Sequence, residues 1–263
     1  MFEGVLQKMM TEAASPIHYF LRMSDDFINV NSLINQQLTL EFLHFECLNC
    51  HENKPIFRQG FCKQCFFEIP QAADWIMKPE LSKAHLGIED RDLAYEEAMQ
   101  LQPHIVYLAN SSDVKVGVTR KSQVPTRWID QGAHEAIAIA ETPNRYLAGI
   151  IEVALKQHVS DKTNWRKMLT NNVIDADLKA VREQLKPFIP EEAKPYYIGD
   201  SEEIRLEFPV RKYPEKVNSL NLLKTNAYTG VLSGVKGQYL LFEDNTVFNV
   251  RSNEGLYVRL ANE

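Results

Sequence analysis

The four cysteines of this 263-residue chain form two pairs with the spacing of a metal-binding knuckle. Cys47-Leu-Asn-Cys50 and Cys62-Lys-Gln-Cys65 are separated by eleven residues. Each CxxC turn places two thiolates on one side, and two such turns form the tetrahedral four-sulfur site that Zn²⁺ prefers. We expect a closed, structural zinc site with Cys47, Cys50, Cys62 and Cys65 as ligands. Two redox-active CxxC motifs, or unpaired core thiols, are the alternative.

Other side chains of the knuckle could take part in binding. His51 directly follows the second cysteine of the first pair, where glycine is common, and it could replace a thiolate as a zinc ligand. Lys54, Arg58 and Lys63 could contact phosphate, although a solvated rim around a folding element explains them equally well.

A second set of residues, between positions 107 and 152, has the types that phosphodiester hydrolysis needs. That reaction requires an activated water, a cation for the developing phosphoryl charge, and a metal. Tyr107 is the candidate base, and a neighbouring Lys115 ammonium would lower its pKa. Arg127 offers a bidentate phosphate clamp, and Glu152 is a hard oxygen ligand for Mg²⁺ or Mn²⁺.

The middle segment resembles a GIY-YIG nuclease domain. The sequence "IVY", ending at Tyr107, lies where that family has GIY, and "KVGVT", beginning at Lys115, lies where it has YIG-x-T. Arg127 and Glu152 follow in the family's order. The resemblance implies a small three-stranded mixed sheet with packed helices, and a Mg-dependent endonuclease. The chain as a whole also resembles an uncharacterised bacterial zinc-knuckle family, a domain of unknown function.

Three positions depart from the GIY-YIG pattern. Ile105 replaces the first glycine, Lys115 replaces the second tyrosine, and Gln131 stands where a histidine is expected. A non-catalytic nucleic-acid-binding module, or a protein-interaction module, with a degenerate GIY-YIG-like fold is therefore the alternative to a nuclease.

Charge distribution restricts the partners of the chain. The formal net charge is -6, which argues against a broad electrostatic grip on DNA or RNA. Residues 103–170 nevertheless carry nine Lys and Arg against six Asp and Glu, a net charge of +3. Within this segment, Thr119, Arg120 and Lys121 are candidate nucleic-acid contacts beside the catalytic residues. The acidic remainder of the chain favours a protein partner.

Hydrophobic patterning, the cysteine pairs and the GIY-YIG resemblance together predict an α+β protein with six segments. They are an N-terminal β-rich segment (1–45), the zinc knuckle or ribbon (46–70), a helical connector (71–102), the GIY-YIG-like domain (103–170), a second helical connector (171–194) and a C-terminal β-rich domain (195–263). The two β-rich ends could form one body with the middle inserted between them. The absence of a signal peptide and of a membrane-length apolar run predicts a cytoplasmic protein without membrane contact.

Overall fold

The structure is a computed structural model that describes residues 1–159 and 164–262. Residues 160–163 of the predicted middle domain, and the last residue of the C-terminal one, lie outside the described residues. The strands of the described residues are β1 (Phe2–Val5), β2 (Met10–Glu12), β3 (His18–Met23), β4 (Asp26–Asn29), β5 (Gln37–Phe45), β6 (Ile56–Arg58), β7 (Phe61–Cys62), β8 (His104–Asn110), β9 (Val114–Arg120), β10 (Glu135–Thr142), β11 (Ile204–Arg205), β12 (Asn218–Ser219), β13 (Ala227–Lys236), β14 (Tyr239–Phe242), β15 (Thr246–Asn249) and β16 (Leu256–Asn262).

The helices of the described residues are short. The α-helices are α1 (Lys63–Glu68), α2 (Leu93–Gln100), α3 (Thr126–Asp130), α4 (Arg145–Leu155), α5 (Trp165–Leu169), α6 (Leu178–Leu185) and α7 (Leu222–Thr225). The 3₁₀ helices are Val30–Leu33, Pro70–Ala72, Asp74–Ile76, Pro79–Leu81, Ala84–Leu86, Lys121–Gln123, Lys186–Phe188, Glu191–Tyr196 and Arg251–Asn253. This mixture of elements confirms the predicted α+β class.

The first of two compact units comprises Met1–Phe67, Leu169–Asn171 and Leu206–Glu263. Its main sheet has seven strands in the order β1-β16-β5-β13-β14-β15-β12. A three-stranded sheet, β2-β3-β4, and the two-stranded ribbon β6-β7 complete its strands. The ribbon carries Cys62 and is short, so it needs another source of stability than a core of its own.

The two ends of the chain pair within the main sheet of the first unit. β1 runs antiparallel to β16, with Phe2 opposite Leu260, and β16 continues antiparallel to β5, with Leu260 opposite Leu40. Leu38 and Leu40 are two residues apart on β5, point to the same face and are buried, as is Leu260. This pairing answers the question that the sequence left open about the two β-rich ends.

The second unit comprises Glu68–Met168 and Asn172–Arg205 and has a four-stranded sheet in the order β11-β10-β8-β9. It differs from the expected three-stranded mixed sheet because every neighbouring pair is antiparallel and β11 adds a fourth strand. β9 and β10 run in the same direction, but β8 lies between them. β11 has only two residues, which is too short for an alternating sequence pattern.

The hydrophobic core of the second unit lies between this sheet and helices α4 and α6. Alternation along β8 buries Val106 and Leu108 in this core, while α4 contributes Ile151 and Leu155 at i, i+4 spacing. Both helices have side-chain caps: Asn144 Oδ1 accepts a hydrogen bond from Leu147 N, and Asp177 does the same for α6. Asn144 therefore sets the start of α4 at Arg145.

Among the described residues, no helix is long and apolar enough to cross a membrane.

Candidate functional site

The four cysteines form a single cluster in the first unit. Their Sγ atoms all lie within 4.8 Å of one another, and the Sγ atoms of Cys50 and Cys62 are 4.0 Å apart. Tetrahedral zinc with Zn–S bonds of about 2.3 Å requires sulfurs about 3.8 Å apart. The grouping predicted from the sequence spacing is confirmed, and the cluster could hold a zinc ion.

The hydrogen bonds to the sulfur atoms and the pKa values of the thiols fit a bound cation. Cys62 N donates to Cys47 Sγ at 3.3 Å, and Asn49 Nδ2 donates to Cys65 Sγ at 3.3 Å. Burial raises the pKa of Cys47, but backbone N–H groups of Cys50, Cys62 and Asn49 outweigh it and lower the pKa to about 6. Asn49 lowers the pKa of Cys65, yet burial and the three neighbouring thiols raise it to about 12. Four thiolates so close together repel, and a divalent cation would offset this repulsion.

His51 does not join the cluster. Its φ of +57° supplies the left-handed turn after Cys50 that glycine often provides. Its ring is exposed, and Nδ1 lies 3.4 Å from Glu46 Oε1. The four-thiolate set is therefore the one that the geometry favours over a His51-containing set.

The second unit contains a cleft of about 390 Å³ along the edge strand β9. Residues from both faces of β9 line it, together with α3, α4 and the 3₁₀ turn Pro79–Leu81. Its charged and polar lining residues are Lys78, Glu80, Tyr107, Lys115, Arg127, Gln131, Arg145, Glu152 and Lys156. All four residues predicted from the sequence as catalytic are in this set.

Strand register explains why Tyr107 reaches the cleft. Tyr107 pairs with Gly117 across β8 and β9, and a Cβ at Gly117 would lie 2.6 Å from the Tyr107 hydroxyl. Only glycine leaves room for the ring at this position. The ring packs edge-on against Trp128 with centroids 5.8 Å apart, and Gln131 Nε2 donates to the Tyr107 hydroxyl at 2.6 Å. Gln131, which replaces the expected histidine, thus contacts the tyrosine directly.

The pKa of Tyr107 moves in the direction opposite to the expectation. The residue is fully buried, and burial raises its pKa above the usual 10. Arg127 and the hydrogen bond from Gln131 oppose this rise without reversing it. Tyr107 therefore keeps its proton near neutral pH.

Lys115 has a pKa near 7 because the fold removes it from water. Its side chain lies on the same face of the hairpin as Tyr107. Side chains alternate along a strand, so Lys115 and Gly117 share one face of β9, and Gly117 is the residue paired with Tyr107. Only 7% of Lys115 is exposed. Burial lowers its pKa from the ordinary 10.5 to about 7, and the positive charge of Arg127 acts in the same direction. A large fraction of Lys115 is a neutral amine at physiological pH.

Glu152 lies near a second carboxylate, Glu80, which was not predicted as a site residue from the sequence. Burial raises the pKa of Glu152, and the negative charge of Glu80 raises it further against Lys156, Arg145 and Arg127. Glu80 comes close because Gly149 on α4 has no side chain: a Cβ there would lie 2.3 Å from Glu80 N. The space beside Gly149 is therefore filled by the backbone of Pro79 and Glu80.

Arg145 is a further cationic residue that sequence reasoning missed. Its Nε and Nη2 donate to the carbonyl oxygens of Trp75 and Ile76 at 3.1 and 2.7 Å, and its guanidinium lies 5.7 Å from the Trp75 ring centroid. Burial lowers its pKa to about 10. Its position at the first turn of α4, two residues after Pro143, was the available signal.

The predicted nucleic-acid contacts at the end of β9 do not line the cleft. Thr119 is buried, and its Oγ1 has no hydrogen-bond partner in the described part of the chain. Arg120 Nη1 contacts Met99 Sδ at 3.1 Å, and Lys121 Nζ forms an ion pair with Glu141 at 2.7 Å. Thr119 lies on the same face of β9 as Lys115 but beyond the cleft, whereas Arg120 and Lys121 are held by Met99 and Glu141.

Together, these features define a mixed α+β protein with several sheets and a four-cysteine cluster that could bind zinc. The chain belongs to the family DUF2797, a family of proteins of unknown function, whose model matches residues 35–258. The match includes the cysteine cluster and all the residues named in the cleft. Searches of curated proteins and of solved structures returned no significant match.

Proposed function

We propose that the cleft of the second unit hydrolyses phosphodiester bonds of a nucleic acid in a metal-dependent reaction. The observation that carries this proposal is the presence of Tyr107, Lys115, Arg127 and Glu152 on one cleft. A base, a permanent cation and a hard oxygen ligand are the groups that this reaction needs. Arg145 and Lys156 add positive charge for an anionic substrate.

The pKa directions assign the roles differently from the sequence. Neutral Lys115 accepts a proton from water while the water oxygen bonds to phosphorus. The ester P–O bond breaks, and its electron pair stays on the leaving oxygen, which takes a proton from solvent. Tyr107 retains its proton and orients the water or a phosphate oxygen through its hydroxyl group. Arg127 stabilises the charge that develops on the phosphoryl oxygens.

Glu152 would hold the Mg²⁺ or Mn²⁺ ion, with Glu80 as a neighbouring carboxylate. The donor set fits, because hard oxygen ligands suit both cations, and a bound cation would offset the burial and the Glu80 charge that raise the pKa of Glu152. When bound, the ion would polarise the phosphoryl group and stabilise the leaving oxygen.

The test is a cleavage assay on labelled single-stranded, duplex and branched DNA and on structured RNA, with Mg²⁺ or Mn²⁺. Glu152→Gln and Arg127→Gln should each slow cleavage at least about a hundredfold. Matched controls are Glu141→Gln, a carboxylate paired with Lys121, and Arg205→Gln, an exposed arginine on β11. Both controls should cleave like the wild type.

Three results would count against hydrolysis in this cleft. Wild type that binds these nucleic acids without cleaving them would indicate a non-catalytic binding module. Wild type that neither binds nor cleaves any of them would favour a protein-interaction module. Cleavage that survives in both cleft variants would place the activity elsewhere or in a contaminant.

A further inference from the structure

An exposed aromatic cluster lies on the cysteine knuckle of the first unit. Phe57 and Phe67 are 42% and 57% exposed, although phenylalanine is usually buried. With half-buried Phe66 they form three mutual ring contacts, at centroid distances of 5.2, 5.7 and 5.3 Å. We call Phe57, Phe66 and Phe67 the aromatic platform. A contiguous apolar patch of this kind marks an interaction site more often than scattered apolar residues do.

Positive charges lie among the platform residues, and one acidic residue, Glu52 or Glu68, lies at either end of the segment. From residue 53 to residue 67 the sequence has three basic residues, Lys54, Arg58 and Lys63, and no acidic one. All three are exposed, and the Arg58 guanidinium lies 5.3 Å from the Phe57 ring centroid. The platform therefore offers apolar ring faces and phosphate-binding cations within one short segment.

Ring faces beside cations match the chemistry of unpaired nucleotides. Bases stack on aromatic side chains while Lys and Arg contact the phosphates, and this recognition tolerates different base sequences. An apolar protein partner would not need the surrounding positive charge. Duplex fits less well, because its bases are already stacked on one another.

We infer that the aromatic platform, with Lys54, Arg58 and Lys63, binds single-stranded nucleic acid. The cysteine cluster supports this surface, since Cys62 and Cys65 lie within the same segment as the three rings. This binding site is separate from the cleft of the second unit, and it does not depend on hydrolysis there.

The test is fluorescence anisotropy of labelled dT20 and rU20 with the zinc-loaded chain, without Mg²⁺ or Mn²⁺. Phe57→Ala and Phe67→Ala should each weaken binding at least about fivefold, and Arg58→Ala should also reduce the salt dependence. Because both rings are exposed, the variants should retain zinc and fold. The relative affinities for dT20 and rU20 distinguish a DNA from an RNA ligand.

The matched control is Phe27→Ala in the same unit. Phe27 is 59% exposed and has Arg22 at 6.0 Å from its ring centroid, but it belongs to the β3–β4 hairpin rather than to the platform. It should bind like the wild type. Wild-type affinity in both platform variants would overturn the inference. A wild type that binds neither oligonucleotide would overturn it as well.

Discussion

At the scale of single residues, burial decides the chemistry of the cleft more than charge does. Tyr107 and Lys115 are both removed from water, and burial disfavours the charged form of each. The phenol therefore becomes a weaker acid, and the ammonium becomes a stronger one. A neutral amine near pH 7 is matched to general-base catalysis, whereas a protonated phenol is not.

This assignment predicts the pH dependence of cleavage. Because Lys115 must lose its proton to act, the rate should rise as the pH passes through about 7. Lys115→Met should abolish this rise and most of the activity, while Tyr107→Phe should lower the rate but retain the rise. Rates measured from pH 5.5 to 9 with each variant provide the check. A rise lost in Tyr107→Phe but present in Lys115→Met would reverse the two roles.

Lys115 also predicts a pH dependence of stability. Its folded pKa of about 7 lies below the ordinary 10.5, so the unfolded chain binds more protons between these values and stability rises with pH there. Lys115→Met should therefore stabilise the protein most below about pH 7, and the gain should shrink towards pH 10.5. At about 1.4 kcal/mol per pKa unit, the upper bound is on the order of 5 kcal/mol.

Urea unfolding of both proteins at pH 6 and pH 9.5 measures this difference. Lys236→Met is the matched comparison, since burial also lowers the pKa of Lys236 to about 7 in the first unit. It should show the same trend in stability and leave cleavage unchanged. A stability gain for Lys115→Met that does not vary with pH would contradict the lowered pKa.

At the scale of elements, the contact between α4 and the 3₁₀ turn Pro79–Leu81 assembles the carboxylate side of the cleft. Gly149 makes the contact possible, because the turn's backbone occupies the space of a side chain. Gly149 follows Pro79 by seventy residues in the chain, and the turn is only three residues long. Glu80 consequently reaches Glu152 through packing rather than through sequence proximity.

Gly149→Ala tests this contact. The new Cβ would lie 2.3 Å from Glu80 N and 2.5 Å from Pro79 C, so the turn must move away from α4. We expect a destabilisation of about 1–3 kcal/mol, typical of an overpacked core, together with slower cleavage. Gly199→Ala is the control, because its Cβ would meet only Tyr197 Cε1 at an ordinary 3.4 Å. Thermal unfolding and cleavage rates that are equal for the two variants would show that α4 and the turn are not in tight contact.

At the scale of the whole molecule, the cysteine cluster should be part of the folding equilibrium. The ribbon β6-β7 has five residues in its strands, too few to form a core without a metal. We therefore expect one zinc ion per chain, released by chelator, with a loss of structure in the knuckle. Metal analysis and near-UV circular dichroism of the wild type before and after chelation measure both.

Variants of single ligands sharpen the zinc prediction. Cys62→Ser should lose zinc, because one of the four thiolate ligands is removed from the site. His51→Ala should keep it, since the histidine ring faces Glu46. Zinc loss in His51→Ala with retention in Cys62→Ser would show that the histidine is a ligand after all.

Features that depend on local spacing could be predicted from the amino-acid sequence. Two CxxC pairs with eleven residues between them indicated one cysteine cluster, and local hydrophobic patterning indicated an α+β chain. Tyr107, Lys115, Arg127 and Glu152 could be selected because their residue types and order match a known kind of site. Each of these signals lies within a short stretch of chain.

Features that depend on packing between distant parts of the chain appear only in the folded protein. The pairing of β1 with β16, the two-residue strand β11 and the approach of Glu80 to Glu152 join parts of the chain that no local pattern relates. The protonation states of Tyr107 and Lys115 also depend on the tertiary structure. The sequence states which groups can ionise, but their pKa values depend on how much water the fold removes from them, because burial penalises the charged form.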